Sequence, residues 1–148
     1  MKINLSIYAL FLLTVIGISS CSKSSTTPTE TNVTFRAALN GGSESPGNVS
    51  AATGTATFTY NPVTYILNGT VSFSGITPTG AHIHKGAVGV NGVVVFPLGS
   101  APFTSPVSYT SMALDVTQRA DLMANMYYVN FHSTAFPGGE IRGQLLKQ

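Results

Sequence analysis

Short runs of alternating apolar and polar residues, each closed by Gly, Pro or Asn, dominate the chain from Val33 onward. In "VTFRAAL" the residues Val33, Phe35, Ala37 and Leu39 share one face, and "GTATFTYN" and "TYILNGTVSFSG" repeat the habit. Successive side chains of a strand point to opposite faces, so this period is that of strands with one face in a core. "MYYVNFHS" puts Tyr127, Val129 and Phe131 on one side and Tyr128, Asn130 and His132 on the other. "GEIRGQLL" sends Ile141 and Leu145 inward and Glu140, Arg142 and Gln144 outward. "GVVVFPL" is apolar throughout and reads as a strand covered on both faces. Many short strands with turn residues between them imply a sandwich or a barrel. One stretch departs from the pattern. "DVTQRADLMANM" has Val116, Ala120 and Met123 or Ala124 at helical spacing, with Asp115 or Thr117 placed to cap it. It predicts one short helix before the penultimate strand.

The N-terminus carries a different signal. Lys2 precedes "LSIYALFLLTVIGI", Leu5 to Ile18, and then Ser19, Ser20 and Cys21. A basic start, a short apolar run and small residues describe a secretory signal over residues 1–20. The run is shorter than the roughly 20 apolar residues a bilayer span needs. "ISSC" resembles the bacterial lipobox, in which the cysteine becomes the first residue and carries lipid, so Cys21 is the expected attachment point. Residues 21–32, "CSKSSTTPTETN", have almost nothing to bury and read as a flexible tether. Residues 33–148 form the domain. Cys21 is the only cysteine, so no disulfide within the chain is available and the core must hold the domain together. With the signal removed, charge is close to neutral, and without a basic patch nucleic acid is excluded as a partner. Ser22, in place of the aspartate associated with inner-membrane retention, favours the outer membrane, in the periplasm or at the surface. The expected partners are the membrane, through the lipid, and an envelope or extracellular protein.

Three histidines fall in two places, His82 and His84 in "AHIHKG" and His132 in "YYVNFHST". On a strand His82 and His84 project side by side, with Ala81 and Ile83 turned away. If the His132 strand is a neighbour, three neutral imidazoles meet, a set that suits zinc or copper. The same face also carries Asn130, Glu140, Arg142 and Gln144, the composition of a solvated surface on which the histidines would only fix loop carbonyls. Both readings stand on the sequence. No catalytic residue is assigned. The five carboxylates are scattered, Ser133 faces away from His132, and Gly138-Gly139 is a turn followed by a strand rather than a phosphate loop opening a helix.

"FRAALNGGSESPGNVSAATGTATF", "AHIHKGAVGVNGVVVFPL" and "YYVNFHSTAFPGGEIRGQL" together resemble the CHRD domain, named after chordin. The histidine pair followed by glycine, the "YVN-x-H" stretch and the "P-x-GEIRGQ" ending all match, so the three histidines, Asn130, Glu140 and Arg142 are signature positions. The resemblance implies an extracytoplasmic binding module without an established enzymatic activity. A fainter likeness to copper/zinc superoxide dismutase implies a Greek-key β-sandwich, of that kind or immunoglobulin-like, in which His82, His84 and His132 match three copper ligands in order. Asn130 and Glu140 would then orient the ligands, and Arg142 would stand near that enzyme's guiding arginine. The bridging histidine, the zinc aspartate and the disulfide have no counterparts here. The likeness therefore implies a mononuclear copper or zinc site, with redox activity as its extension, rather than dismutation itself.

Overall fold

The computed structural model describes residues 30–148. The segment read as a signal, Cys21 and most of the tether lie outside the described residues. Nine strands form one antiparallel sheet: β1 (Val33–Asn40), β2 (Thr53–Tyr60), β3 (Leu67–Ser74), β4 (Gly80–Lys85), β5 (Val93–Pro97), β6 (Val107–Thr110), β7 (Tyr127–His132), β8 (Ile141–Gln144) and β9 (Leu146–Lys147). The helix α1 (Val116–Met123) comes between β6 and β7. The order across the sheet is β5-β4-β7-β8-β1-β2-β3-β6, with β9 pairing β1.

The sheet curls at one thin point. Strands β8 and β1 share a single paired position, Asn40 with Arg142, so the sheet bends there into two halves. Phe131 of β7 packs on Phe73 of β3, with ring centroids 5.0 Å apart, although many strands separate them in the sheet. Phe103 joins the same cluster, and Phe96 of β5 meets Tyr109 of β6. The result is the all-β sandwich that the alternation implied. The inward positions of β1 are Phe35, Ala37 and Leu39, and those of β7 are Tyr127, Val129 and Phe131. Each fully buried Phe or Leu contributes about 1.5–3 kcal/mol, which is how a domain without a disulfide is held.

Three local readings change. Strand β5 is not covered on both faces. It is an edge strand paired only with β4, and Val93 and Val94 are 71% and 51% exposed. An apolar run reports composition, and an edge position leaves part of it in solvent. The final run is divided at Leu145. Strand β8 pairs β7, while β9 crosses to pair β1 on the other half. In α1 the cap is Asp115, in a reciprocal box with Gln118. Its buried residue is Leu122, whereas Val116 points to solvent.

Candidate metal centre

Antiparallel pairing of β4 with β7 aligns the polar faces of the two strands. Gly80 stands opposite His132, His82 opposite Asn130, and His84 opposite Tyr128. On the far side of β7, Arg142 stands opposite Asn130 and Gln144 opposite Tyr128. The three strands thus present one continuous patch of polar side chains. One of the two readings left open by the sequence makes this patch a solvated surface, but most of it is buried. Arg142 is 2% exposed, and Tyr128, Asn130 and His84 are buried with it.

The cover is the loop 86–92, and the patch itself holds that loop down. The Arg142 guanidinium donates to the carbonyls of Ala87 (3.1 Å) and Val90 (2.8 Å) and to Oδ1 of Asn91. Gln144 donates to the carbonyl of Gly86. The amide of Gly92 donates to Tyr128 Oη, and Nδ1 of His84 donates to the Gly92 carbonyl, both at 3.0 Å. Tyr128 is held between the flanking strands. The His84 ring lies parallel to it at 4.9 Å, and the Arg142 guanidinium sits 3.4 Å from its centroid. A cation on an aromatic face, desolvated in this way, is worth on the order of 2 kcal/mol.

These contacts set the histidine tautomers. A carbonyl only accepts, so His84 carries its proton on Nδ1 and leaves Nε2 as a bare lone pair. His132 is fixed in the same way. Its Nδ1 donates to the Pro137 carbonyl at 3.0 Å, leaving Nε2 bare. That Nε2 accepts a hydrogen bond from Nδ1 of His82 at 3.2 Å, so the two rings are joined through a proton that a bound ion would replace. Two nitrogens bound at about 2.0–2.1 Å to one tetrahedral ion stand roughly 3.3 Å apart. One nitrogen from each of the three rings lies within 4.8 Å of the others. Among the described residues, Nε2 of His84 is buried without a hydrogen-bond partner, and a buried acceptor left in this state calls for an explanation. Burial, together with the neighbouring rings, holds His82 below the ordinary imidazole range. Burial also lowers His84, against the bond to Gly92 that raises it, with His132 and Arg142 lowering it further. His84 thus combines a proton affinity lowered by burial with a backbone carbonyl that fixes its ring, the arrangement metal-ligating histidines use.

Asn130 and Glu140 hold other parts of the structure. Asn130 donates to both carboxylate oxygens of Glu44, at 3.1 Å each. Glu140 accepts from Ser50 Oγ at 2.7 Å. The groups that orient His84 and His132 are the carbonyls of Gly92 and Pro137, which a reading of side chains cannot see. Glu44 enters from the turn after β1, 86 residues from Asn130 in sequence. Gly139, at φ 138°, lets the backbone pass it, since a Cβ there would lie 2.7 Å from the Asn130 amide and 2.8 Å from the carboxylate. Glu44 borders a cleft of about 490 Å³ shared with Pro46, Asn91, Phe136 and Pro137. Only 9% of Glu44 is exposed. Burial pushes its carboxyl up to about 7, against the opposing pull of Arg142 and the Asn130 bond.

A family model of the CHRD domain matches residues 35–145. The chain belongs to the CHRD family. Neither a curated protein nor a solved structure matches it. The matched span takes in all three histidines and the CHRD ending "GEIRGQL", and in this fold that ending is the strand whose Arg142 holds the loop over the patch.

Two outcomes follow from this arrangement. The Glu44 carboxyl binds its proton more tightly folded than unfolded, so its contribution to stability is full below about pH 4.5 and is lost as pH rises to about 7. Urea denaturation of Glu44→Gln across that window should show a loss smaller than the parent's by about 1–3 kcal/mol; parallel profiles would contradict the assignment. Arg142→Met removes the donors to Ala87, Val90 and Asn91. Hydrogen exchange of the Gly92 amide, measured by NMR, should then accelerate at least about tenfold, and unchanged protection would show that the loop stands without the guanidinium.

Proposed function

We propose that this CHRD domain is a binding module of the cell envelope that holds one copper or zinc ion on His82, His84 and His132. The observation that carries the metal is the convergence of three imidazoles, one nitrogen of each within 4.8 Å of the others, with two of the rings held through Nδ1 by backbone carbonyls. The set contains nitrogen donors only, which suits zinc and both common oxidation states of copper. Copper in the site would supply one-electron chemistry and zinc a Lewis acid. What the chain contributes is orientation. The Gly92 carbonyl sets His84, the Pro137 carbonyl sets His132, and the Arg142–Tyr128 stack keeps the Gly92 loop in place. No residue of the patch is arranged as a nucleophile with its base. Binding is therefore the reading that family membership supports.

Metal analysis of the full-length protein, purified in detergent and incubated with copper or zinc before desalting, should give about one equivalent per chain. The triple variant His82→Ala/His84→Ala/His132→Ala should retain its β-sheet circular dichroism and bind none. Equal metal in the two proteins, or none in the parent, would refute the site.

The location rests on the signal and lipobox around Cys21. Export, lipid attachment at Cys21 and residence in the outer membrane, beside an envelope or extracellular protein partner, form the second half of the proposal. In fractionated cells Cys21→Ser should move the protein from the membrane to the soluble envelope fraction, and cross-linking before lysis should trap the parent with a second protein. An unchanged distribution would refute the anchor, and parent chains recovered only as monomers would refute the partner.

A further inference from the structure

The polar face of β4 has three members, and the first has no side chain. Gly80, His82 and His84 alternate onto that face, and Gly80 pairs with His132 across the ladder. Glycine weakens a strand and commonly marks a place where something approaches closely. The backbone of Gly80 does not explain its presence, because it is not among the glycines with positive φ. A Cβ on Gly80 would stand 3.4 Å from Cε1 of His82 and 3.7 Å from Cδ2 of His132. Those carbons are bonded to His82 Nδ1 and His132 Nε2, the two nitrogens that face each other at 3.2 Å. The space a side chain would take therefore lies against that pair of nitrogens. The opposite end of the cluster is closed. His84 is buried under Gly92 and against Tyr128, while His82 and His132 are half-buried.

Three protein ligands leave a tetrahedral ion one position short, and sites of this kind take a water or an exogenous ligand there. The cluster includes no carboxylate or thiolate, so a divalent ion on it keeps its full double charge. The Arg142 guanidinium, stacked behind Tyr128, adds a further positive charge nearby. Resting on the metal reading above, we propose that the bound ion takes a small exogenous anion at a fourth position reached past Gly80. Gly80 then determines specificity by limiting the size of what enters.

The test uses azide as the probe on the copper(II)-loaded full-length protein. Azide should produce a ligand-to-metal charge-transfer absorption that saturates at one azide per copper. Gly80→Val, which suits a strand, should carry the same copper yet bind azide at least about tenfold more weakly. A copper-loaded parent without the azide band overturns the inference, and so does a Gly80→Val protein that binds azide as tightly as the parent. If Gly80→Val loses its β-sheet circular dichroism, Gly80→Ala takes its place, with an expected weakening of about threefold; equal affinity there overturns the inference. A parent that takes up no copper fails at the metal analysis, before azide is added, and that failure belongs to the metal reading itself.

Discussion

The buried guanidinium of Arg142 is the contact around which the polar half of this domain is organised. A charge with 2% exposure is costly unless its donors are satisfied. Here the acceptors are two loop carbonyls and an amide oxygen, and one face of the ion is closed by Tyr128. Among the described residues the one ion pair is Lys85 with Asp121, so Arg142 is buried without a carboxylate in contact. Its hydrogen bonds hold the loop 86–92, the loop supplies the Gly92 carbonyl, and that carbonyl sets the tautomer of His84. A side chain two strands away thus decides which nitrogen of a histidine is free.

Much of this arrangement was legible in the sequence. Alternation in "VTFRAAL" and "MYYVNFHS" identified the inward residues of β1 and β7, and it placed His82 with His84 and His132 with Asn130. The sandwich followed from that pattern, and the pairing of β4 with β7 was the condition under which the histidines would meet. Period two states which residues share a face, but it does not state what lies over that face. The patch of Tyr128, Asn130 and Arg142 looks solvated for that reason. Its cover is a loop of Gly, Ala, Val and one Asn that contributes mainly backbone groups, with Asn91 Oδ1 the one side-chain acceptor for Arg142. Glu44 was equally hidden, since it reaches Asn130 across 86 residues. The exposure of β5 and of Val116 was misread because hydrophobicity was taken for burial at an edge strand and on a two-turn helix.

The CHRD ending gains a physical meaning in this setting. In "GEIRGQ", Ile141 fills the core, Arg142 and Gln144 hold the loop, and Gly143 lets β1 approach, since a Cβ there would lie 2.5 Å from the Ala38 carbonyl. The histidine pair and the "YVN-x-H" stretch are the neighbouring strands of the same patch. The family signature is thus one three-dimensional object distributed over three strands.

The bonds from Arg142 to the loop span 51 to 55 residues of chain, and this bears on the order in which the domain matures. Chains emerge from the N-terminus, at about 5–20 residues per second during synthesis, so His82 and His84 are out well before the last strand exists. Until β8 arrives, the loop has no anchor, the Gly92 carbonyl has no fixed place, and the first two imidazoles are free to choose either tautomer. Contacts this distant in sequence are made late, after their loop-closure entropy has been met. The histidine cluster is thus a product of completed folding and cannot serve as a nucleus for it, and a truncated or stalled chain would carry the three rings without the contacts that orient them.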